Sequence, residues 1–186
     1  VVVDQFIAKT FKRQNTFFEG KAVAHCEFAQ PTCLRMKKQV LQTAQKFDIK
    51  VHKKGTYVCM EGPQFSTRAE SLMHKAWGGD LIGMTAMPEA KLAREAQMCY
   101  MLIAMVSDYD CWKVHEANKD KQTLLKEIMG NLKQGTENAT KLVESFIIDQ
   151  ETISFDDCAC RKSLEMAILT SEDDIREKEK LSVLFE

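Results

Sequence analysis

Short apolar runs alternate with stretches of helical period along this chain. Val1-Val2-Val3 leads through Asp4-Gln5 into Phe6-Ile7, the pattern of a buried strand. Lys9 to Glu19 is polar and loop-like, and Lys21 to Phe28 predicts a second strand. From Thr32 to Phe47, Leu34, Val40, Leu41, Ala44 and Phe47 recur at helical spacing, with Pro31 just ahead of them. Lys50 to Met60 carries β-formers around Tyr57-Val58 and ends in the turn residues Glu61-Gly62-Pro63. Thr67 and Glu70 stand in capping-box spacing, so a helix is predicted from there to about Trp77, stopped by Gly78-Gly79. Asp80 to Met84 predicts a short strand, Pro88 opens a helix to about Gln97, and Met98 to Val106 predicts a strand buried on both faces. After a polar loop, Gln122 to Ile148 has helical period despite Gly130 and Gly135. Two last helices are predicted at Phe155–Leu169 and Glu172–Leu184, the second with acidic residues in its first turn.

Strands alternating with helices define an α/β fold with a mostly parallel sheet, here in a single domain over residues 1–186. In such sheets ligands gather beyond the carboxyl ends of the strands. Gly83-Met84-Thr85 and Val106-Ser107-Asp108 both fall there.

Charge removes several function classes. The 186 residues are 45% hydrophobic and 28% charged, with net charge −1, so the basic excess of a nucleic-acid binder is missing. No apolar run reaches the roughly 18 residues of a membrane span, and the first residues lack the basic and apolar segments of a leader. The start, without Met and already strand-like, suggests that the chain begins inside a domain. The seven cysteines are odd in number and scattered, as expected of reduced thiols in a cytoplasmic protein. Cys158-Ala159-Cys160 is the one close pair; with the four histidines far off it lacks a second half for a metal, and ordinary thiols are expected.

Candidate chemistry lies beside the strand ends. Asp108 and Asp110, two apart on a loop, can point into one pocket, where a protonated carboxyl donates to a purine N7 and a carboxylate accepts from the exocyclic amine. A proton given to N7 also helps the base depart. Turn chemistry or a solvated surface is the competing reading, and Cys111 and Trp112 favour a pocket with apolar walls. Met84 suits a ribose face and the Thr85 hydroxyl a phosphate; a core Met and a capping Thr are the alternatives. Phe65-Ser66, just before a helix, can cover a base or sugar or serve as a staple and cap. His25 has no visible Ser or Cys partner and reads alone as structural or superficial.

Together these segments resemble the S-methyl-5'-thioadenosine phosphorylases of the purine nucleoside phosphorylase group. Asp4–Ile7, Gly55–Ser71, Gly83-Met84-Thr85, Met87–Ala96 and Asp108–Trp112 carry the resemblance, which weakens after about Lys121. It implies a three-layer α/β phosphorylase fold with a central mixed, mostly parallel sheet, assembled as a homotrimer. It implies reversible phosphorolysis of the N-glycosidic bond, with phosphate as co-substrate and neither metal nor organic cofactor. Position by position it implies Asp108 and Asp110 reading adenine, with Asp108 at N7. The resemblance likewise implies that Phe65 lines the nucleoside site, Met84 meets the ribose and Thr85 binds phosphate. By the same resemblance Ser66 is expected to bear on specificity, and His25 to be lent to a neighbouring subunit's 5'-substituent pocket. A carboxylate at Asp108 suits a 6-aminopurine; the related 6-oxopurine enzymes use Asn, whose amide donates to O6.

Departures from the family pattern are local. Ala8-Lys9-Thr10 stands where Asp-Arg-Thr is usual, and Lys121 where an apolar residue commonly lines the methylthio pocket. The family's N-terminal portion, with its Gly-rich turn and further phosphate residues, precedes the matched region, so the resemblance implies a partial domain. A truncated inactive homologue that binds purine or joins full-length subunits, and a phosphorylase of another purine nucleoside, are the alternatives.

Overall fold

A computed structural model describes residues 1–113, 120–149 and 157–185. The first strand of the sequence pattern is two strands with different partners. β1 (Val2–Val3) pairs antiparallel with β5 (Leu102–Ile103), and β2 (Gln5–Lys9) pairs parallel with β3 (Thr56–Met60). β3 in turn pairs parallel with β4 (Leu81–Gly83). Only Asp4 separates β1 from β2; its backbone N–H donates to Gly55 O, and its carboxylate accepts from Gly55 N–H and from Lys37. Pairing is therefore mixed in direction: β2-β3-β4 form a parallel three-stranded sheet and β1-β5 an antiparallel two-stranded one, the two joined along the chain at Asp4.

Helices connect the parallel strands. α1 (Leu34–Lys46) buries Gln39, Val40, Thr43 and Ala44 and packs against α4 (Lys121–Asp149). α2 (Arg68–Ala76) opens with the expected capping box: Thr67 Oγ1 accepts from Glu70 N–H, and the Glu70 carboxylate accepts from Thr67 N–H at 2.7 Å. α3 spans Ala86–Glu95, but Met87 is extended (φ −118°, ψ 133°), so regular helix begins at Pro88. Proline disfavours helical backbone in the residue before it, which sets that boundary. The core between sheet and α3 is built from Val3, Tyr57, Cys59, Ala86, Met87 and Ala90.

α4 runs unbroken through Gly130 and Gly135. Each glycine costs about 1 kcal/mol relative to Ala in a helix interior. Burial of Leu142 alone returns about 1.5–3 kcal/mol. Gly135 also has a steric use, because a Cβ there would stand 3.3 Å from Met105 Cβ.

Further predicted elements differ, and the strand expected from Lys50 is confined to Thr56–Met60. Lys21–Phe28 forms no named strand; it makes one bridge, Ala24 to Ile168, while Ala22, Ala24 and Cys26 turn the alternating face onto the cluster of Phe18, Leu164, Leu181 and Leu184. Met98–Val106 narrows to the two residues of β5, and Met98, Met105 and Val106 are exposed, so it is not buried on both faces. Of the helix expected at Phe155–Leu169, residues 155 and 156 lie outside the described residues. The rest is a 3-10 turn at Ala159–Lys162 followed by turns, with Met166 at φ 60°. The last helix divides into a 3-10 turn at Glu172–Asp174 and α5 (Lys178–Phe185), because Ile175 is extended to reach the Phe18 cluster and Glu177 sits at φ 50°.

Candidate active site

Contacts draw three separate loops together. The loop after β3 carries Phe65 and Ser66, the loop after β4 carries Met84 and Thr85, and the loop after β5 carries Asp108 and Asp110. Gly62 joins the first two. It holds φ +71°, a conformation natural to glycine, and a Cβ there would come 2.8 Å from Met84 Sδ.

The third loop is fastened to the first by Ser71 on α2. Its hydroxyl donates to Asp110 Oδ2 at 2.5 Å and accepts from Trp112 N–H at 3.2 Å. Cys111 Sγ lies 3.3 Å from Ser66 O, and Cys111 N–H donates to Asp110 Oδ1 at 2.8 Å. From the other side, Asn131 on α4 donates to Ser107 O at 2.8 Å. Ser107 Oγ donates to Asp108 Oδ1 at 2.8 Å, and the Asp108 side chain is exposed. Tyr109 and Trp112 meet edge to face, with the Lys113 ammonium over Tyr109 and the Lys75 ammonium over Trp112. The acidic loop therefore has an aromatic wall and two cations beside it.

Arg13, unremarked in the sequence pattern, ties the strand ends to each other. Its guanidinium donates to Met84 O and Met87 O at 2.6 Å and to Glu61 O at 2.8 Å, and pairs with the Glu61 carboxylate at 3.3 Å. Glu61 also accepts from Phe11 N–H at 2.7 Å and from Lys12 N–H. The Phe11 N–H, and after it those of Lys12 and Arg13, hold the Glu61 carboxyl below the usual carboxylate range. A lone arginine in a polar stretch gives no periodic signal, and only the fold brings it beneath residues about 48 to 74 positions away.

The remaining expected residues fall as follows. Phe65 is 84% exposed beside the half-buried Ser66, whose hydroxyl lies 3.7 Å from Met60 Sδ. Thr85 is exposed at the N-cap of α3, and its side chain makes no capping bond, so the capping alternative does not hold. His25 is exposed, far along the chain from the three loops, with its N–H on Ala167 O. It borders a hollow of about 520 Å³ walled by Phe18, Cys26, Phe28, Arg94 and Glu95. Lys121 is the exposed first residue of α4. Cys158 and Cys160, expected to stand as a pair without a second half, meet Cys33 and Cys99.

A mixed α/β sheet that gathers an aromatic residue, hydroxyls and paired acids at its strand ends is the architecture of a phosphorylase-type domain. The chain belongs to the phosphorylase superfamily, whose family profile matches residues 1–148. It is 44% identical over 173 residues to an S-methyl-5'-thioadenosine phosphorylase of Cereibacter sphaeroides, covering 92% of this chain and 58% of that protein. It is 46% identical over 136 residues to one of Danio rerio, covering 70% of this chain and 49% of that protein. The fold matches the crystal structure of a methylthioadenosine phosphorylase from an Antarctic soil metagenomic library with TM-score 0.84 and 35% identity. That match covers 98% of this chain and 64% of the other. A methylthioadenosine phosphorylase from Schistosoma mansoni, solved with adenine, matches with TM-score 0.78 and 30% identity over 90% of this chain and 65% of the other. The chain thus spans 58% to 63% of the length of the first bacterial relatives it matches.

Proposed function

We propose that this protein contributes the base and sugar side, and part of the phosphate side, of a site that cleaves S-methyl-5'-thioadenosine with phosphate. The products are adenine and 5-methylthioribose 1-phosphate. The observation that carries the reading is the convergence of the Phe65, Met84-Thr85 and Asp108–Asp110 loops through Gly62, Ser71 and Cys111. In the reaction, a phosphate oxygen bonds to C1' as the C1'–N9 bond breaks and its electron pair passes into the purine. A proton delivered to N7 from Asp108 lets adenine leave neutral. Asp110 accepts from the exocyclic amine; Ser71 and Cys111 take one lone pair on each of its oxygens and leave another. Phe65 covers the nucleoside, Met84 lies against the ribose and Thr85 donates to phosphate. Ser66 and Lys121 act on 5'-specificity. No metal and no organic cofactor enters this reaction.

A homotrimer with His25 reaching a neighbour's 5'-substituent pocket completes the proposal. Its support is apolar surface on α4, where Leu125, Met129, Leu132 and Ile147 are exposed. A cytoplasmic setting agrees with seven cysteines outside any disulfide. Among the described residues no helix is long and apolar enough to cross a membrane.

The test is adenine release from S-methyl-5'-thioadenosine with and without phosphate, beside a binding measurement for adenine. Phosphate-dependent release is expected. Release that ignores phosphate overturns the reaction, and binding without release reduces the protein to a purine-binding homologue.

A further inference from the structure

We propose that Cys33, Cys99, Cys158 and Cys160 form a structural zinc site that fastens the C-terminal segment to the catalytic domain. The four Sγ atoms lie within 4.8 Å of one another, and Cys33 and Cys158 are 3.6 Å apart. A tetrahedral zinc with bonds of about 2.3 Å sets its sulfurs about 3.8 Å apart, whereas a disulfide needs about 2.05 Å. Four sulfurs in this spacing are a coordination shell for a tetrahedral, thiolate-seeking divalent ion.

Three parts of the chain build the site. Cys33 is the N-cap of α1, where the helix dipole favours a thiolate. Cys99 lies between α3 and β5, and Cys33 N–H donates to Tyr100 O at 2.8 Å, locking these two parts together. Cys158 and Cys160 arrive from the far end of the chain. The segment is turned back at this point by Arg161 N–H donating to Cys158 O at 2.8 Å. Cys33, Cys158 and Cys160 are buried, Cys99 is half-buried, and Met36 packs on the cluster. Zinc binding forms four Zn–S bonds and releases up to four thiol protons to solvent, leaving a net charge of −2 on the site.

Sequence spacing hides this site. Cys158 and Cys160 are 125 or more residues from Cys33, and no histidine completes the set, so the pair looks solitary until the chain folds.

Metal content of the protein purified without chelator tests the proposal. One zinc per chain is expected. The Cys158→Ser/Cys160→Ser variant should hold about tenfold less or lower still, and Cys26→Ser, outside the cluster, should hold the wild-type amount. Because the double variant can fail to fold, the wild-type protein is also stripped, reduced and titrated with cobalt. Sulfur-to-cobalt charge-transfer absorption and intense visible bands should saturate at one cobalt per chain and vanish on adding zinc. Zinc should also slow proteolysis within residues 157–185. Absence of the cobalt spectrum, iron in place of zinc, or disulfides among these four cysteines in the freshly isolated protein overturns the assignment.

Discussion

At the scale of single residues, two acids with the same side chain are held differently. Asp110 is fixed through both oxygens by Ser71 and Cys111, whereas Asp108 is met at Oδ1 by its neighbour Ser107. The proposed roles follow that division, the fixed acid accepting and the exposed one transferring a proton. Asp108→Asn should lower kcat for methylthioadenosine cleavage by about 100-fold or more, since general acid catalysis supplies about that much. Steady-state adenine release measures it, and unchanged turnover would remove Asp108 from the leaving-group role. Ser71→Ala should raise KM more than it lowers kcat, because it loosens Asp110 without touching the N7 donor; the same assay separates the two constants. These acids were legible in the sequence because they follow an apolar run directly. Ser71, Asn131 and Arg13 were not, since each acts on residues at least 24 positions away.

Glu61 makes the residue scale sensitive to pH. Its folded pKa lies below the ordinary carboxylate value, so its contribution to stability is present above the unfolded pKa of about 4.3 and is lost as pH falls through the folded pKa. The wild-type protein should therefore lose stability below about pH 4 more steeply than Glu61→Gln, which has no proton to take up there. Denaturant midpoints across an acid series read the difference. Parallel curves for the two proteins would separate Glu61 from the Arg13 clamp.

Among elements, local chemistry decides some boundaries and tertiary contacts decide the rest. The start of α2 is local: Thr67 and Glu70 satisfy each other's backbone donors, and the residues sit where the spacing places them. Thr67→Ala should cost about 1 kcal/mol, seen as a lower denaturant midpoint with an unchanged slope. β4 ends at Gly83, where a Cβ would stand 1.8 Å from the Tyr57 hydroxyl. Gly83→Ala should therefore destabilise by more than the capping change, measured in the same denaturant series, because Tyr57 must leave its buried position. Lys21–Phe28 and residues 157–169 show the opposite case. Their alternation and helical period are present in the sequence, but their apolar faces are taken by the Phe18 cluster, and packing sets their backbone. A period reports which face is apolar and leaves open what will cover it.

On the scale of the whole molecule, the site is a meeting of loops whose elements are far apart in sequence, and the C-terminal segment closes over a separate apolar cluster and the four cysteines. The proposed homotrimer would cover the exposed apolar residues of α4, Leu125, Met129, Leu132 and Ile147. Light scattering should give about three times the 21.2 kDa of one chain. Replacing Leu125 and Met129 with glutamate should shift it toward one; a monomer in the unaltered protein would remove the trimer.

The sequence by itself determined the alternation of strands and helices, the capped start of α2 and the residue types on which the proposed purine, ribose and phosphate contacts rest. These depend on neighbours a few residues apart, and their chemistry is written in the local order. The tertiary structure decided the splitting of the first strand between two partners, the Arg13 clamp, the tether from Ser71 to Asp110 and the meeting of Cys33 and Cys99 with Cys158 and Cys160. Each is a contact between residues tens of positions apart, and such pairs are selected by burial and chain closure over the whole fold.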